Sequence, residues 1–154
     1  MRTKTALVEL LKGSRDLRIF YKRCCNTSAS KLRSQAWQFR DGLAEIGCVA
    51  PLDEVQDSLF ELAQSLFPDS PAADFSAWAE LLYRDALARI QEHYTTLSAN
   101  QKDAMDLSRA WECNGRMEAA ARDEDLPAFR RAVSAYEREA LRALETARER
   151  SGAA

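Results

Sequence analysis

Apolar residues recur every three or four positions through most of the chain, which is the spacing of one face of an α-helix. The clearest series consists of Leu32, Ala36, Phe39, Leu43 and Ile46. Only five Gly and four Pro occur in 154 residues, too few for the many tight turns of a β-sandwich or a β-barrel. The sequence therefore predicts an all-α fold, a compact bundle of about seven helices.

Residues that favour helix ends divide the chain into these predicted helices. The predicted N-terminal caps are Ser14, Ser28 or Ser30, Ser70 or Asp74, Ser98 with Gln101, and Asp125. Gly13, Asn26 and Gly47 are predicted to end helices, and Pro51 and Pro68 to bracket the most apolar one. The third predicted helix runs unbroken to Ile46. The sixth begins near Ala99, with a weak point at Asn114-Gly115 and an inner side made of Ala104, Leu107, Trp111, Asn114 and Met117.

The last predicted helix is long and carries an apolar seam with alternating steps of three and four residues. Its members are Leu126, Phe129, Val133, Tyr136, Ala140, Ala143 and Ala147. Such a heptad pattern predicts lengthwise packing on another helix. The partner is either a helix of the same chain or a second copy, so a homodimer stays open. The alanines at the distal end predict close approach or fraying.

Length and composition indicate one soluble domain. The chain is 46% hydrophobic and 30% charged, and 154 residues bury enough surface to fold without disulfides or a metal. We predict a single domain over residues 1–154, with a basic part over 1–47 and acidic and mixed helices over 48–150. Near the start, the apolar run Ala6 to Val8 is too short for a secretory signal or a membrane span, so we expect a cytoplasmic protein that does not bind membranes and has reduced cysteines.

The charge distribution is uneven along the chain. Residues 1–40 contain ten Lys or Arg and two acidic residues, whereas residues 41–83 contain nine acidic residues and no Lys or Arg. The overall formal charge of −2 hides this separation. Residues 101–154 mix ten basic with eleven acidic side chains, as on an ordinary solvated helix surface.

The basic block predicts a nucleic-acid-binding face. Spacing places Arg15, Arg18 and Lys22 together on one helix, and it places Trp37 between two arginines on the next. The predicted binding residues are Arg15, Arg18, Lys22, Lys31, Arg33, Trp37 and Arg40. Cations of this kind displace counterions from phosphates, and an indole can stack on an unpaired base. The corresponding function is a non-catalytic accessory or regulatory protein whose acidic and C-terminal helices bind protein.

Two other interpretations remain open. In the first, the basic block and the acidic block neutralise each other inside one bundle, which leaves only weak salt bridges at the rim of the bundle. Alternatively, the protein is a protein-only adaptor or inhibitor whose acidic surface over residues 41–80 imitates nucleic acid. In that case the protein-binding residues are Asp53, Glu54, Asp57 and Glu61.

No arrangement typical of catalysis is evident, so we predict a protein that is not an enzyme and uses no cofactor or metal. His93, the single histidine, has no nucleophile and acid at a recognisable spacing. No Cys-x-x-Cys pair occurs for zinc. Lys22 and Arg23 beside Cys24 and Cys25 favour lowered thiol pKa values and a redox role, although burial as packing residues is the preferred interpretation.

Overall fold

The computed structural model describes residues 2–152 and confirms the all-α fold. Within these residues the α-helices are α1 (Thr3–Gly13), α2 (Arg15–Thr27), α3 (Ala29–Ser34), α4 (Ala36–Glu45), α5 (Leu52–Leu66), α6 (Phe75–Tyr94), α7 (Ala99–Asp103), α8 (Ser108–Arg122) and α9 (Leu126–Gly152). A 3₁₀ turn, Pro71–Ala73, precedes α6. None of the described helices combines the length and hydropathy that crossing a bilayer requires.

The predicted caps account for most helix starts. Side-chain oxygens of Ser14, Ser28 and Asp125 accept the backbone N–H groups of Leu17, Lys31 and Ala128 at 3.3, 2.9 and 3.1 Å. Ser98 and Gln101 form the predicted capping box. For α6 the cap is Asp74, whose carboxylate accepts the N–H of Ser76 at 3.1 Å. These bonds satisfy backbone donors that the first helical turn leaves unpaired.

Two predicted helices are each divided in two, so the described chain has nine α-helices where the sequence predicted about seven. Gln35, at φ −99° and ψ 4°, separates α3 from α4. Just before it, the Ser34 hydroxyl donates to the Lys31 carbonyl at 2.8 Å, a local bond that competes with the helix. Likewise α7 ends at Asp103 and α8 begins at Ser108, whose N–H donates to the Asp106 carboxylate at 3.0 Å. The predicted weak point at Asn114-Gly115 lies inside an unbroken α8.

Contacts divide the chain into two compact units, residues up to Trp78 and residues from Ala79 onward. The prediction of a single domain over residues 1–154 stays a prediction. In the first unit α5 packs against α1 and α4, and α2 packs against α3 and the 3₁₀ turn. The Tyr21 hydroxyl donates to the Leu59 carbonyl at 2.6 Å. The Phe60 ring lies 5.9 Å from the ring of the fully buried Trp78.

The second unit is built on α8, which packs along α9. Most of the predicted α9 seam is buried, from Leu126 to Ala147, while Tyr136 and Ala143 are half-buried. The inner face of α8 differs from the prediction. It consists of Ala110, Cys113, Met117 and Ala120. Trp111 is 64% exposed, because α8 begins at Ser108 and its buried positions are offset from those expected for one helix starting at Ala99.

Candidate functional site

The outer surface of α2 is basic. Tyr21, Cys24 and Cys25 are buried, which fixes the opposite side of the helix towards solvent. That side carries the exposed Arg15, Ile19, Lys22 and, at its edges, Arg18 and Arg23. Spacings of four and three residues align Arg15, Ile19 and Lys22. The predicted basic amphipathic helix is therefore present, with an exposed isoleucine at its centre.

Most of the predicted cations on α2 and α3 keep their charge unpaired. Among residues 2–152, Arg15, Lys22 and Lys31 make no ion pair with an acidic side chain and are exposed. Lys22 instead lies over the Phe67 ring, with Nζ 6.0 Å from the ring centroid. Ion pairs between the basic and acidic blocks include Lys4 with Glu61 at 4.0 Å and Arg40 with Asp41 at 3.9 Å. Pairs this long and exposed contribute little to stability.

Arg18 has a structural role that the sequence analysis missed. Its guanidinium donates to the carbonyls of Leu11 and Lys12, at 3.1 and 2.8 Å. These carbonyls belong to the last turn of α1, which leaves acceptors without a helical partner. A cation at a helix C-terminus also interacts favourably with the helix dipole. Arg18 therefore joins α1 to α2 while remaining exposed.

The predicted alignment of Arg33, Trp37 and Arg40 on one helix is wrong. The break at Gln35 places the half-buried Arg33 on α3, and Trp37 and Arg40 on α4. Trp37 is 49% exposed, so part of its side chain is accessible to a ligand. Arg40 has Asp41 beside it, with Nε 3.9 Å from the carboxylate, and this lowers the net charge around Trp37.

The four carboxylates of the predicted acidic surface differ in how exposed they are. Asp53 and Glu54 are exposed in the first turn of α5, where a negative charge complements the helix dipole. Asp57 is only 7% exposed and is packed into the first unit. Glu61 is half-buried and faces Lys4. The four carboxylates therefore do not form one continuous exposed array along α5.

The single histidine belongs to the second unit. His93 is exposed beside a shallow pocket of about 210 Å³ lined by Leu141, Leu144, Glu145 and Arg148. Within the described residues, no three His, Cys, Asp or Glu side chains are placed to hold a metal ion. Comparison of the chain with models of known protein families, with curated proteins and with solved structures finds no match.

The predicted lowering of the thiol pKa values on α2 is wrong. Burial raises the pKa of Cys25 to about 11. Burial also raises the pKa of Cys24, and this effect exceeds the opposing influence of Lys31 and Arg23. Both thiols therefore stay protonated at neutral pH, and a protonated thiol is a poor nucleophile. These observations favour the packing role for the two cysteines.

Thiol labelling of the native protein is expected to modify Cys48 first. Cys48 is half-buried, whereas Cys24, Cys25 and Cys113 are buried. For Cys25, a pKa two units above the ordinary value of 9.0 lowers the thiolate fraction about a hundredfold. Intact-mass spectrometry with a maleimide should show one fast modification, lost in Cys48→Ser. Labelling of Cys24 or Cys25 as fast as Cys48 contradicts this assignment.

Proposed function

We propose that the protein binds nucleic acid through the basic surface of α2 and α3, with Trp37 stacking on an unpaired base. It acts without catalysis, as an accessory or regulatory protein whose acidic and C-terminal helices bind protein. The observation that carries the proposal is that Arg15, Lys22 and Lys31 are exposed and pair with no acidic side chain of the described chain. Internal neutralisation of these three cations would require such pairs.

The chemistry of these side chains supports a polyanion as the ligand. Three unpaired cations on adjacent helices create a positive potential, and binding to phosphates gains entropy from the release of condensed counterions. Arg15 and Lys22 are seven residues apart on α2, about 10 Å along the helix axis, so they can contact more than one phosphate of a single strand. A half-exposed indole supplies stacking that does not depend on base identity.

The acidic alternative has less support. A nucleic-acid mimic needs a continuous array of exposed carboxylates to match the spacing of phosphates. Asp57 is buried, and Glu61 is half-buried with Lys4 beside it, which leaves Asp53 and Glu54 at one end of α5. We therefore retain nucleic acid as the proposed ligand of this protein.

Charge reversal tests the proposed surface. The triple variant Arg15→Glu, Lys22→Glu, Lys31→Glu is expected to abolish binding to a fluorescently labelled single strand at 50 mM salt. For the unaltered protein, three phosphate contacts predict that log K falls with log salt at a slope of about −2 on a single strand. Fluorescence anisotropy across a salt series measures both quantities.

A matched variant controls for net charge. Arg116→Glu, Arg122→Glu, Arg131→Glu changes the formal charge equally at exposed positions of the second unit, and it should retain binding. Trp37→Ala is expected to weaken single-strand binding about 5- to 100-fold, and duplex binding less, because paired bases are not available for stacking. Absence of binding at low salt, or equal losses in the two triple variants, contradicts the proposal.

A further inference from the structure

The first unit carries an apolar groove next to the basic surface. The groove has a volume of about 220 Å³, and Val8, Leu11, Leu62, Leu66 and Phe67 line it. Leu66 is 53% exposed, so an apolar side chain of the wall faces solvent. The volume is below the usual range for whole small-molecule ligands. It suits one or two apolar side chains of a protein.

Three cationic side chains lie at this groove. Lys12 and Arg18 line it as well, and Lys22 lies over the Phe67 ring. Glu9, 3.9 Å from Lys12, offsets the charge of that lysine, and Arg18 and Lys22 supply the remaining positive charge. An occupant that combines apolar side chains with acidic neighbours therefore matches the groove in both respects.

The same unit carries a segment of that chemistry. Between α4 and α5, Val49 is 89% exposed and Ile46 is 49% exposed. The neighbouring charged residues include the exposed Glu45 and Glu54, in a stretch without Lys or Arg from residue 41 to residue 83. We call the segment 45–54 the acidic knob. It presents the most exposed of the large apolar side chains in the described chain.

The backbone holds this knob in a fixed conformation. Gly47 has φ +89°, a left-handed conformation that glycine adopts without strain. The N–H groups of Gly47 and Cys48 donate to the carbonyls of Ala44 and Leu43, at 3.1 and 2.8 Å, which is the Schellman arrangement at a helix end. After Val49 the chain re-enters the core at Ala50, which is 7% exposed. A segment ordered before binding loses little entropy when it docks.

The knob cannot occupy the groove of its own chain. It lies at the N-terminal end of α5, whereas Leu62, Leu66 and Phe67 of the groove lie at the C-terminal end of the same helix. Since an α-helix rises 1.5 Å per residue, these ends are about 20 Å apart. Because the helix holds the knob and the groove at opposite ends, the knob of one chain can reach the groove of another chain but not its own.

We propose that the protein self-associates head to tail, with the acidic knob of one copy docked in the basic-edged apolar groove of the next. Each copy then offers one free knob and one free groove. The contact is heterologous, so association continues into short chains or closes into a ring. This inference does not depend on nucleic acid binding, and its test contains no nucleic acid.

Sedimentation velocity of the full chain, from about 5 µM to 1 mM in low salt, tests the association. The contact is small, so we expect a dissociation constant of roughly 10 µM to 1 mM. The weight-average mass should rise above the 17.4 kDa of one chain with increasing concentration. It should fall again in 0.5 M salt because screening weakens the charge complementarity. A monomer at every concentration overturns the proposal.

Two variants identify the surfaces. Val49→Asp and Leu66→Glu each place a charge at an exposed apolar position, and each is expected to weaken association by at least about tenfold. Trp111→Asp, which adds the same charge to an exposed residue of the second unit, should associate like the unaltered chain. Unchanged circular dichroism and thermal unfolding show that the variants fold. Association that survives both Val49→Asp and Leu66→Glu overturns the assignment.

A mixture of these two variants tests whether the knob of one chain meets the groove of another. The Val49→Asp chain keeps its groove and the Leu66→Glu chain keeps its knob. We therefore expect one-to-one heterodimers that grow no further. A two-fold dimer would also keep one intact knob–groove contact in the mixed pair, but its unaltered chain would stop at twice the mass of one chain, whereas head-to-tail association of the unaltered chain exceeds that mass at high concentration. A monomeric mixture overturns head-to-tail association.

Discussion

Replacing Trp78 with alanine is expected to lower the free energy of unfolding by about 3–5 kcal/mol. The indole is fully buried in the first unit, and its Nε1–H donates to the Ala72 carbonyl at 2.8 Å. Its ring also lies 5.9 Å from the Phe60 ring. The alanine variant loses the packing of the whole ring and leaves a buried carbonyl without its donor. Urea unfolding followed by circular dichroism measures the change.

Two further substitutions separate the contributions of packing and hydrogen bonding at Trp78. Trp78→Phe keeps an aromatic ring but removes the donor, so we expect an intermediate loss of stability. Trp111→Ala removes the same side chain from a position that is 64% exposed, and it should change stability by no more than about 0.5 kcal/mol. A loss below about 1 kcal/mol in Trp78→Ala means that the ring is not part of a well-packed core.

The features predicted well from the sequence depend on neighbouring residues. The cap at Ser14 and the capping box at Ser98 each form through residues three positions later in the chain, so the local pattern contains all the necessary information. The helix end at Gly47 and the buried seam of α9 are local for the same reason. Periodicity alone determines which side of a helix is apolar.

The remaining features depend on contacts between distant segments or on competing local bonds. Periodicity continues across Gln35 without a break, so the division between α3 and α4 was not visible in the apolar pattern. Asp57 sits among acidic neighbours in the sequence, and its burial follows from how α5 packs against other helices. The apolar groove is formed by three separate helices and the residue after α5. No single segment of the sequence contains it.

In the candidate site too, local features were predicted from the sequence and features that depend on contacts between helices were not. Exposure of Arg15 and Lys22 follows from the helical period of α2, and the sequence predicted it correctly. The capping role of Arg18 required the position of the α1 carbonyls. For Trp37, exposure was predicted, but its expected alignment with Arg33 relied on a helix that is interrupted. The sequence thus predicts the charge of the face and not its arrangement.

Enlarging Ala140 to leucine is expected to lower the free energy of unfolding by about 1–3 kcal/mol. Ala140 is 2% exposed on α9, and Ala110 and Ala120 are buried on the helix that packs along it. Small side chains let two helix backbones approach closely, so we expect no space for the added carbon atoms of leucine. Alanine and leucine have similar helix propensities, and the loss therefore reports packing.

Ala121→Leu is the matched control, because Ala121 is exposed on α8 and the substitution there should change stability by no more than about 0.5 kcal/mol.

The concentration dependence of the Ala140→Leu effect decides between the two partners that the sequence leaves open for the α9 seam. Burial of the seam against α8 predicts the same loss at every protein concentration. A seam completed by a second copy predicts a loss that grows with concentration, since association stabilises the folded chain by mass action. An equally stable Ala140→Leu variant contradicts close packing of α8 on α9.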